Sequence, residues 1–355
     1  MDFLRILSMI MVTMLHALGK GGLLLPMSAE LPLNGWVAWI LECFSVGAVN
    51  IFMLLSGYYL IQSGFRIKRL WELLFQVLFY SVGVFAVYGC LGLLQGEQRD
   101  IYHLLQYFLP VHMEVYWFIT SYVVIYLFLP VLTAGVRGVS RIILRNTIWG
   151  LLIYECVFKS ILPFQLETDS KGYSFLWYLI MFLIGAYIRL YGFPVIRRAW
   201  QGWLVFLGGS LLIFAETAAL HFIYAKTGRL EGVLRIGTNY NHIFDVLASI
   251  GIFLAFLYRK PMGEKKGSLI SRLSSYALGV YLFQESILIR YEWQKWFSLP
   301  QTMTGSLGGF LLRVFGAVAA MFCIGIVIDV VRWGSYRGLA RLFRRKKTEE
   351  GAEES

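Results

Sequence analysis

The sequence predicts an all-α fold: a polytopic transmembrane bundle of about ten spans with both termini on the inner side. Three observations predict it. Hydrophobic residues make up 58% of the chain and charged ones 15%, with a mean hydropathy of +0.65, whereas a soluble domain is nearer half apolar and about a quarter charged. Ten apolar runs of spanning length, parted by short connections, take up the 355 residues and leave no room between them for a soluble domain. Finally, the basic residues gather in alternate connections, as the positive-inside rule requires.

The first run, 3–19, has Arg5 at its inner edge and His16 toward its outer end; with Asp2 in front and a His so late, it reads as a retained span rather than a cleaved leader. The second, 36–62, leads into the basic stretch Arg66-Ile67-Lys68-Arg69, and the third is 70–94. Ile101 to Leu109 is too short to span and reads as interfacial. The fourth, 115–135, opens on Tyr116-Trp117-Phe118 and runs to Arg137 and Arg141, which precede the fifth, 142–162. The sixth, 173–191, returns to Arg189, Arg197 and Arg198, and the seventh, 203–224, goes out again. The eighth, 241–258, ends at Arg259 and Lys260; Lys265, Lys266 and Arg272 lead into the ninth, 272–290. The tenth, 305–332, reaches the basic tail, so residues 1–335 read as one membrane unit and 336–355 as a cytosolic tail, basic and then acidic, against anionic lipid.

This distribution excludes several classes. The net charge of +11 sits in the inner connections, so it implies membrane lipid and no nucleic acid. Cys43, Cys90, Cys156 and Cys323 lie in apolar stretches without metal-ligand spacing, so they read as small buried hydrophobes, and no metal site is expected. No internal repeat of the transporter kind is visible.

Three groups of residues are able to carry chemistry. Arg5 and His16 are eleven residues apart, about 20° from three full helical turns, so they share one face of the first helix about 16 Å apart along its axis. Ionisable groups inside a membrane default to function, and His is the natural base at neutral pH; the plainer reading is a snorkelling Arg and an interfacial His. Arg66 and Arg69, if helical, are i,i+3 neighbours whose guanidinium forks suit phosphate oxygens; spacing alone equally fits a positive-inside anchor. A scatter of polar residues falls in the outer half: Glu42, Asn50, Glu155, Glu216, His242, Asp245, Gln284 and Glu285. Together they suggest a polar cavity, and singly each also reads as a structural hydrogen-bonding group. Of these, Glu42, Glu155 and Asp245 are the expected partners that orient or charge-balance His16. Tyr116 and Trp117 are candidates to line an acceptor groove.

At these residues the chain resembles the acyltransferase-3 family of integral membrane acyltransferases. The resemblance rests on Leu4-Arg5 followed by His16, on Phe52-Met53-Leu54-Leu55-Ser56-Gly57-Tyr58-Tyr59-Leu60 and on the Arg66-x-x-Arg69 pair. It continues through Tyr116-Trp117-Phe118-Ile119, Leu183-Ile184-Gly185-Ala186-Tyr187 and Leu278-Gly279-Val280-Tyr281-Leu282-Phe283, in order along essentially the whole chain. It implies a multi-pass cell-membrane O-acyltransferase that moves an acyl group, usually acetyl, from cytosolic acyl-CoA to a hydroxyl of a cell-envelope polysaccharide, other glycan or lipid-linked sugar. Acyl-CoA is then a donor substrate, and no bound cofactor is implied. The resemblance makes Arg5 and His16 the essential pair and Arg66 with Arg69 the acyl-CoA-binding pair; Glu42, Tyr116, Trp117, Glu155, Asp245 and Gln284 remain acceptor-site candidates. Two positions depart from the family pattern: Gln284 stands where the family often has His, and Thr133 where it has Asn. Gln cannot act as a base, which places the chemistry on His16, either as general base toward the acceptor hydroxyl or as a transient carrier of the acyl group. The alternative, a transporter or flippase for a lipid-linked saccharide, calls for broken helices in matching halves, yet only 8 prolines occur and none falls in the first three spans.

Overall fold

The computed structural model describes residues 1–162, 170–260 and 263–353, with the helix backbone alone from residue 337 onward. All regular structure among them is helical: α1 (Asp2–Lys20), α2 (Leu33–Ser45), α3 (Ala48–Ser63), α4 (Ile67–Cys90), α5 (Ile101–Phe108), α6 (Trp117–Gly138), α7 (Arg141–Leu152), α8 (Phe158–Ile161), α9 (Phe175–Tyr191), α10 (Ala199–Thr227), α11 (Ile243–Leu257), α12 (Glu264–Gln284), α13 (Trp293–Trp296) and α14 (Leu307–Glu353). Among the described residues, 7 stretches are long and apolar enough to cross a membrane: 2–20, 33–63, 67–90, 117–138, 199–227, 231–257 and 307–336. The basic residues of the expected tail, Arg337 to Lys347, lie beyond the described side chains.

Every expected span has a helix, and three are not plain apolar rods of full length. α9 has 17 residues, about 25 Å of helix. The expected span 142–162 is α7 and α8 joined by a π turn at Ile153–Val157, with Arg141 and Arg145 on its first turns. The expected span 272–290 is corrected at both ends: α12 begins at Glu264 and stops at Gln284, with Glu285 as its cap. The chain beyond folds back as a buried plug, with Leu288, Ile289, Trp293, Leu299 and Met303 all inside. Ile289, Trp293, Leu299 and Met303 pack on Ala17 and Leu18 at the end of α1 and on Phe310 and Val314 of α14. Apolar burial rather than membrane crossing is what holds this segment.

The second expected span is bent between α2 and α3. Ser249 Oγ donates to the Gly47 carbonyl at 3.2 Å, and a side chain reaching into the helical ladder is one cause of kinks. A short helix, α5, spans most of 101–109, the segment expected to be interfacial. Cys43 and Cys156 are buried as expected, but Cys90 and Cys323 are exposed, on helix faces directed away from the core.

Two features fix the helices that carry the site. Gly57 of α3 and Gly185 of α9 face one another: a Cβ on Gly57 would lie 2.0 Å from the Phe182 carbonyl oxygen, and one on Gly185 2.2 Å from that of Leu54. Only backbones without side chains approach so closely. On α4, Gln76 Nε2 (2.9 Å) and Tyr80 Oη (3.0 Å) donate to Asp329 Oδ1 of α14, which also accepts from Arg332 Nε at 2.7 Å. A buried carboxylate is tolerated when its lone pairs are met in this way.

Candidate active site

One cavity of about 330 Å³ runs through the bundle between α1, α3, α4, α6 and α12. Arg5, Met9, Val12 and His16 all line it, the 4-3-4 spacing of a single helical face, so the expected shared face of Arg5 and His16 is the wall of a cavity. Arg5 and Arg69 stand at one end with Ser274 and Tyr126; His16 stands toward the other with Tyr281, Trp117 and Tyr240. The wall between is apolar, including Phe52, Leu73 and Ile119.

At the first end, Arg5 Nη1 bonds Asp2 Oδ1 at 2.8 Å and its guanidinium lies 5.2 Å from the Tyr59 ring centre. Arg69 Nη1 donates to Ser63 Oγ at 3.3 Å. Of the expected Arg66–Arg69 pair, Arg69 alone lines the cavity. Arg66 is the extended residue preceding α4, and its side chain is outside the cavity lining. Its backbone is held instead: Tyr126 Oη accepts from its N–H at 3.1 Å and donates to its carbonyl at 3.2 Å. Arg5 takes the place beside Arg69.

The groups around His16 differ from those expected. Its Nδ1 lies 3.3 Å from Glu285 Oε1, at ion-pair distance but off the line a hydrogen bond needs. Lys20, one turn further along α1, pairs with the same oxygen. Asp245 is engaged elsewhere, accepting from Asn50 Nδ2 at 2.9 Å and Ser249 Oγ at 3.5 Å. Glu155 holds Lys159 at 2.6 Å from within the π turn. Glu42 lies outside the cavity lining, and its Oε2 has no partner. None of these three is the partner of His16. Gln284 is buried and donates to Thr13 Oγ1 at 3.3 Å, while its Oε1 has no partner among the described residues.

Of the acceptor-site candidates, Trp117 alone is in the cavity wall. It stacks on Tyr240 at 5.9 Å and meets Tyr173 at 4.5 Å. Tyr116 is buried with its hydroxyl on the Leu282 carbonyl at 3.2 Å. Sequence reading missed Tyr240 and Tyr281 as cavity residues and gave Glu285 and Lys20 no tie to His16. Glu285 stood among the polar outer residues, but its pairing across 269 positions follows from where α12 stops, for which no local signal exists.

A family model described as an acyltransferase domain matches residues 1–330. The chain belongs to the acyltransferase-3 family. Comparisons with curated proteins and with solved structures give no match. With several helices long and apolar enough to cross a membrane, it is a membrane acyltransferase. In this acyltransferase the family-like stretches 52–60 and 183–187 meet through the facing glycines, Gly57 and Gly185, that set α3 against α9. The cavity joins a cationic end to a histidine through an apolar passage, a geometry that suits a long donor with an anionic head and a reactive tail.

Proposed function

We propose that the protein is an O-acyltransferase of the cell membrane that takes an acyl group, acetyl by preference, from cytosolic acyl-CoA. The acceptor is a hydroxyl of an envelope glycan or lipid-linked sugar. The observation that carries this reading is the single cavity with Arg5 and Arg69 at one end and His16 at the other. Along α1 the two ends are about 16 Å apart, a distance an extended pantetheine arm is long enough to cross. The guanidinium groups hold the phosphates at the inner mouth, and the apolar wall takes the arm. His16 takes the proton of the acceptor hydroxyl as its oxygen attacks the thioester carbonyl carbon; the C–S bond breaks, and the departing thiolate takes the proton back, giving an ester and free CoA. The acceptor enters from the outer side past Trp117 and Tyr240, whose stacked rings suit the apolar face of a sugar. Ten crossings with both termini inside, a membrane unit of 1–335 and a cytosolic tail of 336–355 accord with the basic inner connections.

The test is thiol release from acetyl-CoA by purified protein, with water, glucose or N-acetylglucosamine as acceptor. His16→Ala and His16→Gln should both lose at least about 10²-fold in rate while CoA binding stays near normal. Gln preserves hydrogen bonding without accepting a proton, so near wild-type turnover by His16→Gln refutes the catalytic role.

A further inference from the structure

The plug that follows α12 does more than close the bundle. Glu285 is its first residue, 3% exposed, and its backbone is pinned: the Arg290 guanidinium donates to the Glu285 carbonyl from Nη2 (2.8 Å) and Nε (3.1 Å), and Nη2 also reaches the Val115 carbonyl at 3.0 Å. That second bond ties the plug to the residues just before Trp117. Nearby, Gln294 Nε2 donates to the His16 carbonyl at 3.2 Å. The carboxylate so placed faces His16 Nδ1 and the ammonium of Lys20. Lys20 is itself set over the Tyr291 ring, 5.5 Å from its centre, so the plug holds this cation as well.

A histidine in contact with an acceptor at one ring nitrogen has its tautomer chosen for it. Nδ1 is the buried nitrogen and looks on Glu285. Nε2 is left for the cavity that the residue lines.

We infer that Glu285 is the positioning residue of His16: its carboxylate accepts a hydrogen bond from Nδ1–H, presents Nε2 to the acceptor hydroxyl and balances the imidazolium formed during transfer, with Lys20 as the counter-charge that keeps it seated. The inference rests on the proposed role of His16. A base steadied by a third group is a recurring arrangement in acyl transfer, and such contacts shorten when substrate binds. Lys20, four residues from His16 on the same face of α1, limits how far the carboxylate swings away.

Two measurements test this. In 15N-histidine NMR of the wild-type protein in detergent, the resonance lost in His16→Asn identifies His16; it should report a protonated Nδ1 and a bare Nε2 at neutral pH. In the thiol-release assay with acetyl-CoA, Glu285→Gln keeps the shape and removes the charge; it should lower kcat on the order of 10²–10⁴-fold with KM for acetyl-CoA within about threefold. Lys20→Met should lower kcat by about fivefold. A wild-type His16 protonated at Nε2, or a Glu285→Gln enzyme within threefold of wild type, overturns the inference, and the first result needs no variant to fold. If wild type transfers acetyl and His16→Gln does not, while Glu285→Gln remains active, the positioning role fails and the proposed function stands. If His16→Gln also transfers, the catalytic reading of His16 itself fails.

Discussion

Replacing Arg69 should weaken CoA binding about tenfold, while replacing Arg66 should leave it within about twofold. The contrast comes from the start of α4. Arg69 lies in the first turn with its side chain in the cavity wall beside Arg5, bonded through one nitrogen to Ser63 Oγ, which leaves the rest of the fork for phosphate. Arg66 is outside the helix and outside the lining, with its backbone fastened to Tyr126. A hydrogen bond to a charged group contributes roughly 1.5–3 kcal/mol; Arg69 is exposed at the mouth, so solvent screening favours the lower end. Since 1.4 kcal/mol is a factor of ten, the expected loss for Arg69→Ala is about tenfold. Arg69→Lys keeps the charge without the planar fork and should fall between. Titration calorimetry of CoA into purified protein at low and at moderate salt reads both, and the wild-type advantage over Arg69→Ala should shrink with salt. Equal losses for Arg66→Ala and Arg69→Ala, or none for Arg69→Ala, would refute the assignment of the donor end.

Two further outcomes follow from the fold. Gly57→Ala puts a Cβ 2.0 Å from a backbone oxygen of α9 and should cost about 1–3 kcal/mol through forced separation of the helices, read as a lower thermal midpoint in detergent. Gly208→Ala, at a helical glycine with open space around it, is the control and should leave the midpoint unchanged or slightly raised; equal effects at both glycines argue against close packing of α3 on α9. For topology, a reporter fused after Lys347 should read cytosolic and one in the 227–239 connection external; both on one side would sink the proposed orientation.

Composition and periodicity were enough for the all-helical class and for a helix at each expected place, because in a bilayer a chain must satisfy its own backbone hydrogen bonds and a spanning helix needs a long apolar run. The shared face of Arg5 and His16 was equally legible, since it is a property of one helix. What failed depended on where helices stop and what then packs on them. The 272–290 run is apolar enough to read as a span, yet α12 ends at Gln284 and the remainder is buried against α1 and α14; hydropathy does not separate burial in protein from burial in lipid.

The sequence by itself determined the class of the protein, its family-like order of motifs and the face of the first helix that lines the cavity, all of which rest on interactions local to a span. The tertiary structure alone decided that Arg5 rather than Arg66 joins Arg69, that Trp117 and not Tyr116 meets the cavity, and that the carboxylate at His16 is Glu285 rather than Glu42, Glu155 or Asp245. Each of those outcomes turns on the rotation and termination of one helix relative to another. These are set by close packing at Gly57 and Gly185 and by polar anchors such as Asp329 with Gln76 and Tyr80, and Arg290 with the Val115 carbonyl, whose partners lie far away in the chain.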